Sequence, residues 1–127
     1  KHMFEKAIAS LNSLKEAPVL RKNIETIKTE LFNEALILIS KKEYEKAEKN
    51  FERLLSYNNH PDYYYNLGIL QLKQKKYEEA VESFSESMEL GLINYDLCYN
   101  LAHCLEQLGD LENSSLFFEK AIEYKNK

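Results

Sequence analysis

The sequence predicts an all-α fold, an α-solenoid of stacked antiparallel helix pairs with about seven helices. The chain repeats itself: when it is shifted by 34 residues, residues 64–68 align with 98–102, and Phe84 aligns with Phe118. A shift of 33 residues aligns Phe84 with Phe51. A period of this length is typical of helical repeats that stack into a solenoid. The 127 residues include only 2 prolines and 3 glycines, and no sustained apolar–polar alternation predicts a strand.

Three helices are predicted in the N-terminal half of the chain. The first, about 3–15, places an apolar residue at every third or fourth position, which forms one stripe on a helix. Pro18 ends it, because proline disfavours a helical conformation in the residue before it. The second helix is long, about 19–41, and the third spans about 44–57; apolar residues line one side of each.

Four further helices are predicted in the C-terminal half, at about 61–74, 78–90, 95–108 and 111–125. Pro61 and Asp62 suit the first turn of a helix, where a missing N–H is harmless and a negative charge faces the positive end of the dipole. Gly91 is predicted to form a left-handed cap, and Gly109 followed by Asp110 to be a helix stop followed by an N-cap. Short turns make successive helices antiparallel neighbours.

These elements are interpreted as one domain over residues 3–127. It consists of an N-terminal helix, 3–18, and three repeats, 28–60, 61–94 and 95–127. The apolar spacing of residues 4–14 reproduces that of 44–54 at a constant offset of 40. The N-terminal helix is therefore interpreted as the second half of a preceding repeat, and we expect the chain to belong to a longer array.

Composition narrows the class of function. The net charge of −4 argues against a nucleic-acid partner, and no apolar run approaches the roughly 20 residues of a membrane span. Residues 1–60 carry 11 basic and 9 acidic side chains, and residues 61–127 carry 6 and 12, so the charge is uneven. Cys98 and Cys104 lie about 9 Å apart along one predicted helix, too far for a disulfide. Both are expected to be buried thiols, which favours a reducing, cytoplasmic location.

No pattern of residues predicts an enzyme. His103, between Cys98 and Cys104, does not converge with both thiols on one helix face, so no metal site is expected. His60 lies in a turn between repeats, and the sequence has no glycine-rich phosphate loop and no HExxH motif. We therefore expect a protein without catalytic residues, metal or cofactor.

The repeated residues resemble the tetratricopeptide repeat over roughly residues 28–125. The family pattern is a large residue, Leu-Gly three positions later, and Ala-x3-Phe in the second helix. The middle repeat matches it with Tyr64, Leu67, Gly68, Ala80 and Phe84. The first repeat has Leu31, Ala35, Leu38, Ala47 and Phe51, and the last has Cys98, Leu101, Ala102, Leu105, Ser114 and Phe118. Glu34 and Gln71 depart from the pattern, and no clear proline closes the last repeat.

The resemblance implies a right-handed superhelix whose first helices line a concave groove, where family members commonly hold a peptide. The groove positions carried over to this chain are Phe32, Asn33, Leu36, Tyr65, Asn66, Ile69, Lys73, Tyr99, Asn100 and His103, flanked by Thr29, Ser40, Asp62, Asp96 and Gln107. Aromatic rings offer contact area at low entropic cost, and Asn side chains can hydrogen-bond a peptide backbone.

The expected function is that of a non-catalytic adaptor, binding a peptide segment of a partner protein in this groove. Some family members clamp an acidic chaperone tail with Lys and Arg, but here those offsets hold Phe32, Leu36, Asp96 and Asn100, and only Asn66 agrees. We predict no binding of such a tail, because Asp96 repels a carboxylate. Two alternatives stay open: a scaffold, or homo-oligomer, that self-assembles through its solenoid ends, and a regulatory segment of a longer protein.

Overall fold

The computed structural model describes the backbone of residues 17–127 and the side chains of residues 23–127. This part of the chain contains six α-helices and no strand: α1 (Ala17–Ser40), α2 (Tyr44–Tyr57), α3 (Pro61–Lys73), α4 (Tyr77–Glu89), α5 (Tyr95–Gln107) and α6 (Leu111–Lys125). The predicted all-α solenoid is confirmed. The predicted helix 3–15, and the half repeat 3–18 built on it, lie outside the described residues.

The helix boundaries agree with the predicted ones to within about two residues. Pro18 lies inside the first turn of α1, and the preceding helix that it is predicted to end lies outside the described residues. Proline is tolerated in a first turn, where its missing N–H would have no intrahelical acceptor. Asp110 is the N-cap of α6, as predicted, and its carboxylate accepts a hydrogen bond from the Asn113 N–H at 3.2 Å.

The helices pack in sequential order along the array. The pairs α1–α2, α3–α4 and α5–α6 are antiparallel neighbours, and α3 and α5 also pack against the second helix of the preceding pair. Each pair therefore buries its apolar stripe partly within itself and partly against the next pair, as stacking repeats do. Of the second-helix phenylalanines, Phe51 and Phe84 are fully buried.

Small residues permit the close approach of the helices within each pair. A Cβ atom built on Gly68 would lie 2.7 Å from the Phe84 ring, closer than carbon atoms tolerate. Ala35 and Ala102 occupy the equivalent positions in α1 and α5, and both are fully buried. These positions are therefore occupied by small residues because the paired helices contact each other there.

The turn inside each helix pair contains one residue in the left-handed region. Lys42 has φ 61°, Lys75 has φ 62° and Gly109 has φ 86°. Glycine adopts this conformation freely, whereas a lysine there has a Cβ close to the following carbonyl. Gly91, at φ 105°, forms the left-handed cap predicted after α4. The repeated turn geometry thus uses glycine in only one of three pairs.

The two departures from the family pattern are paired with polar partners. The Ser83 hydroxyl donates to Gln71 Oε1 at 2.6 Å in a buried position. Asn50 Nδ2 donates to the Glu34 carboxylate at 3.3 Å and to the Leu31 carbonyl at 3.1 Å. A buried polar side chain without a partner costs about 1–3 kcal/mol, so these hydrogen bonds offset the burial of Gln71 and Asn50, whereas Glu34 is exposed.

The last phenylalanine differs from the other two. Phe118 of α6 is partly exposed, whereas Phe51 and Phe84 are fully buried. The reason is position in the array: α3 covers α2 and α5 covers α4, but among residues 17–127 no helix packs over α6. Phe118 therefore occupies the repeated phenylalanine position without the full burial of its counterparts.

Candidate peptide-binding groove

The predicted groove residues lie on the first helices of the three pairs, α1, α3 and α5. On each helix an aromatic residue and the asparagine after it are followed three or four residues later by the next groove position, so the set shares one helix face. None of them is buried. Phe32, Tyr65, Asn66, Ile69, Asn100 and His103 are half-buried, and Asn33, Leu36, Lys73 and Tyr99 are exposed. The flanking positions Thr29, Ser40, Asp62, Asp96 and Gln107 are exposed as well.

An aromatic ring at the same position of each pair packs against the phenylalanine of the second helix. The ring centroids are 5.9 Å apart for Phe32 and Phe51, 5.8 Å for Tyr65 and Phe84, and 5.6 Å for Tyr99 and Phe118. Two of these contacts are edge-to-face and the Tyr65 contact is tilted. Each ring therefore packs against the phenylalanine of its own helix pair. Tyr99 nevertheless keeps 47% of its surface exposed. Phe32, Tyr65 and Tyr99 thus form an aromatic ladder, in which each ring makes the equivalent contact within its own helix pair.

The three asparagines of the groove have different surroundings. Asn66 Nδ2 donates to the Asp62 carbonyl at 2.8 Å within its own helix. Asn100 Nδ2 donates to the Tyr65 hydroxyl at 3.4 Å and so links two helix pairs. Asn33 is exposed on α1. The sequence predicted three equivalent backbone-binding amides, but two of them already use a donor hydrogen within the protein.

The Tyr65 hydroxyl is influenced by the third helix pair. Burial raises the pKa of this phenol, the negative charge of Asp96 raises it further, and the hydrogen bond from Asn100 opposes both. The Asp96 carboxylate therefore acts on the groove side of α5. Because the pKa is raised, the hydroxyl stays neutral over the physiological range and can both donate and accept.

Several aromatic residues that contact the predicted groove residues were not themselves predicted from the sequence. Tyr77, the first residue of α4, contacts His103 edge-to-face at a centroid distance of 6.4 Å and fixes one side of that ring. Tyr63 lies 6.4 Å from Phe32 across the boundary between the first two pairs. Tyr95 stacks on Tyr99 at 5.9 Å. Only Tyr95 had a sequence signal, since it lies one turn before Tyr99 on the same face.

His60 has a structural role at the start of α3. Its Nδ1 accepts a hydrogen bond from the Asp62 N–H at 3.1 Å, so the imidazole is the N-cap of the helix. Its ring also lies 5.1 Å from the Tyr63 ring. The sequence placed His60 in a turn between repeats but did not predict the cap, since Ser, Thr, Asp and Asn are the usual N-cap residues.

Cys98 and Cys104 are free, buried thiols, as predicted. Burial raises the pKa of the Cys104 thiol to about 11, and that of Cys98 is raised by burial against the opposing charge of Lys120. A raised pKa lowers the fraction of reactive thiolate. Among residues 23–127, no three His, Cys, Asp or Glu side chains are grouped closely enough to hold a metal ion.

The repeats match a known family. A sequence model described as the tetratricopeptide repeat matches residues 61–90, and a second model of that description matches residues 31–61 and 95–127. The chain belongs to the tetratricopeptide repeat family. The matched segments include the three rings of the aromatic ladder and the second-helix phenylalanines that they contact.

A curated relative in this family is the TPR repeat-containing protein YsoA of Bacillus subtilis. It is 33% identical over 75 residues, which is 59% of this chain and 22% of YsoA. The chain thus spans about a fifth of the length of this relative. No helix in the described part of the chain is long and apolar enough to cross a membrane.

Solved structures of the family have the same fold. YrrB, described as a TPR protein with an unusual peptide-binding site, has a TM-score of 0.72 and 26% identity, covering 76% of this chain and 50% of YrrB. The second TPR domain of Spaghetti (RPAP3), solved with an HSP90 peptide, has a TM-score of 0.75 and 17% identity, covering 82% of this chain and 97% of that domain. The second likeness is one of fold only.

Proposed function

We propose that the chain is a non-catalytic protein-interaction module that binds a peptide segment of a partner protein across α1, α3 and α5. The observation that carries the proposal is the aromatic ladder: Phe32, Tyr65 and Tyr99 each pack against a phenylalanine of their own pair and keep part of their surface exposed to solvent. A ring fixed before binding loses little entropy when a ligand covers it.

The apolar surface of the groove continues beyond the ladder. Leu36 of α1 is 45% exposed and Ile69 of α3 is half-buried, each four residues after its aromatic rung. Exposed apolar residues that share a face are typical of interaction sites. The peptide-binding site attributed to YrrB, which is 26% identical to this chain, also supports a peptide ligand.

The proposal includes neither catalysis nor nucleic-acid binding. A catalytic group needs a pKa tuned towards its task, but the groups with shifted pKa values among residues 23–127, which are Tyr65, Cys98 and Cys104, all have pKa values raised by burial. The net charge of −4 is unfavourable for contacts with phosphates. Two free thiols support the cytoplasm as the location of the module.

The proposal is tested by comparing the wild type with a Tyr65→Ala/Asn66→Ala/Tyr99→Ala variant in a pull-down from native lysate. The matched control is Tyr57→Ala/Asn59→Ala, which removes an exposed ring and amide outside the groove. Circular dichroism and urea unfolding verify that each variant is folded. We expect a partner that is lost with the groove variant and retained with the control. Equal retention by both variants would place the interaction elsewhere on the molecule.

A second candidate function, self-assembly through a solenoid end, is supported by the exposed face of α6. Leu111 is 64% exposed and Ile122 is 58% exposed, whereas their counterparts Tyr77 and Met88 are half-buried beneath α5. Head-to-tail contacts of such ends give rings or filaments. Sedimentation of the wild type and of Leu111→Lys/Ile122→Lys over a concentration series tests this candidate. A monomer at every concentration would exclude it.

A further inference from the structure

We propose that the groove selects a partner segment with a Lys or Arg side chain flanked by apolar side chains, the cation binding between Asp62 of α3 and Asp96 of α5. The inference rests on the proposed function, because it names the chemistry of the peptide that the groove holds. The juxtaposition that carries it is a pair of carboxylates without a Lys or Arg partner among residues 23–127, beside the tyrosines of the ladder, of which Tyr99 is exposed and Tyr65 is half-buried.

The two carboxylates occupy equivalent positions on neighbouring helices. Asp62 and Asp96 are each the second residue of their helix, 34 residues apart, and each lies three residues before a tyrosine of the ladder. α3 and α5 contact each other along the array, so both acids lie at one edge of the groove. The positive end of each helix dipole stabilises the ionised form of an Asp in this position.

Neither carboxylate is neutralised by a cation of the described chain. Among residues 23–127, neither Asp62 nor Asp96 has a Lys or Arg nitrogen within 4.0 Å. The nitrogen next to Asp62 is His60 Nδ1, 3.8 Å from Oδ2, and it accepts a hydrogen bond from the Asp62 N–H. The lone pair of that nitrogen is thus directed at the backbone N–H of Asp62.

Neither Lys125 nor Lys73 forms an ion pair with these carboxylates. Lys125 Nζ lies 5.4 Å from the centroid of the Tyr95 ring, a cation–π contact that keeps it at the edge of α5. Lys73 is eleven residues after Asp62 on α3, which places it about 16 Å away along the helix axis. A cation from a ligand could therefore pair with Asp62 and Asp96 without displacing a lysine of the described chain.

The aromatic ladder makes the site selective for a cation with apolar neighbours. The Tyr65 and Tyr99 rings lie one turn beyond the acids, and Tyr99 is 47% exposed. A Lys or Arg stem can cover a ring while its charge reaches a carboxylate, and a guanidinium can also stack on the ring. The first pair has Thr29 at the position of the acids, so the cation site is confined to the second and third pairs.

The experiment is a random-peptide display library selected on the full chain, followed by titration of synthetic peptides of the enriched sequences by calorimetry. Each peptide is titrated into the wild type, into Asp62→Asn/Asp96→Asn, into Tyr65→Ala/Tyr99→Ala, and into Glu82→Gln/Glu86→Gln. The last variant is the matched control. Its two glutamates are exposed on α4, line a separate recess of about 470 Å³ with Tyr64, and change the net charge by the same amount.

We expect enriched peptides to combine Lys or Arg with apolar residues. The Asp62→Asn/Asp96→Asn change is expected to weaken their binding about tenfold, as two partly exposed ion pairs predict. That difference is expected to shrink as salt rises from 50 to 500 mM, since screening weakens exposed charge pairs, and the Glu82→Gln/Glu86→Gln control is expected to bind within about twofold of the wild type.

Two kinds of failure are distinguishable. If enriched peptides need Tyr65 and Tyr99 but are neutral or acidic, or bind the Asp62→Asn/Asp96→Asn variant as tightly as the wild type, the inference is wrong and the proposed groove function stands. If no enriched peptide depends on Tyr65 and Tyr99, the proposed function itself fails, and the inference fails with it.

Discussion

The Asn100 side chain donates a hydrogen bond from Nδ2 to the Tyr65 hydroxyl at 3.4 Å, across the boundary between the second and third helix pairs. The Tyr65 ring lies 5.8 Å from Phe84, the fully buried centre of its own pair. Tyr65 therefore connects the Asn100 side chain of the third helix pair to the core of the second pair. This arrangement makes the shape of the groove depend on the stacking of the repeats.

We expect the Tyr65–Asn100 hydrogen bond to contribute weakly to stability. Tyr65→Phe keeps the ring on Phe84 and removes only the hydroxyl, so its cost should be about 0.5 kcal/mol, near the lower end for a hydrogen bond, because 3.4 Å is long. A double-mutant cycle of Tyr65→Phe and Asn100→Ala, followed by urea unfolding, measures the coupling. Fully additive effects of the two changes would show that the bond contributes nothing.

Gly68→Ala is expected to destabilise the fold. Its new Cβ would lie 2.7 Å from the Phe84 ring, which is fully buried and cannot move away freely. Overpacking costs about 1–3 kcal/mol and outweighs a gain in helix propensity of up to about 1 kcal/mol. Urea unfolding of Gly68→Ala and of Gly68→Ala/Phe84→Leu checks this, since the smaller side chain should recover part of the loss. A more stable Gly68→Ala variant would contradict the close approach of α3 and α4.

Glycine is expected to stabilise the turns that now contain a left-handed lysine. Lys42 and Lys75 adopt φ values of 61° and 62°, so Lys42→Gly and Lys75→Gly each remove a Cβ from an unfavourable contact. Each change should add about 0.5 kcal/mol after the greater entropy of glycine in the unfolded chain is subtracted. Thermal unfolding measures both variants. The control is Lys49→Gly inside α2, which should lose about 1 kcal/mol through lower helix propensity.

The buried Cys104 thiol is expected to make the fold less stable in alkali. Burial raises its pKa from 9.0 to about 11, so the unfolded chain loses this proton at a lower pH than the folded chain. The contribution of this thiol to the free energy of unfolding is fully present below pH 9 and is lost as the pH rises through 11, a change of up to about 3 kcal/mol. The measurement is the free energy of unfolding of the wild type and of Cys104→Ala as a function of pH. The difference between the two profiles separates the effect of the thiol from that of the tyrosines, which also lose protons in alkali. Parallel profiles would contradict the prediction.

We expect no binding of an acidic chaperone tail in the groove. Asp96 occupies an offset where clamping relatives have a cation, and Asn66 is the single matching residue. A peptide with the chain-terminal carboxylate and acidic residues of such a tail would meet like charge, which disfavours association. Titration by fluorescence anisotropy up to about 1 mM checks the prediction, because millimolar affinity is negligible for a specific complex. Micromolar affinity would show that the clamp tolerates Asp96.

Much of the fold was predictable from local chemistry. The 34-residue period, the capping signals at Asp110 and Gly91, and the small residues at Ala35 and Gly68 are each determined by a few neighbouring side chains or by spacing. The partial exposure of Phe118 was not predictable in this way. It depends on whether another helix packs over α6, and not on the sequence of its own repeat.

The sequence by itself determined that this chain stacks helix pairs and which residues recur on the first helices, since both follow from periodicity. The tertiary structure alone decided how those residues differ from one another. Asn66 bonds within its helix while Asn100 reaches Tyr65, and Tyr77 from a preceding pair fixes His103. Contacts between repeats depend on the curvature of the stack, which no single repeat encodes.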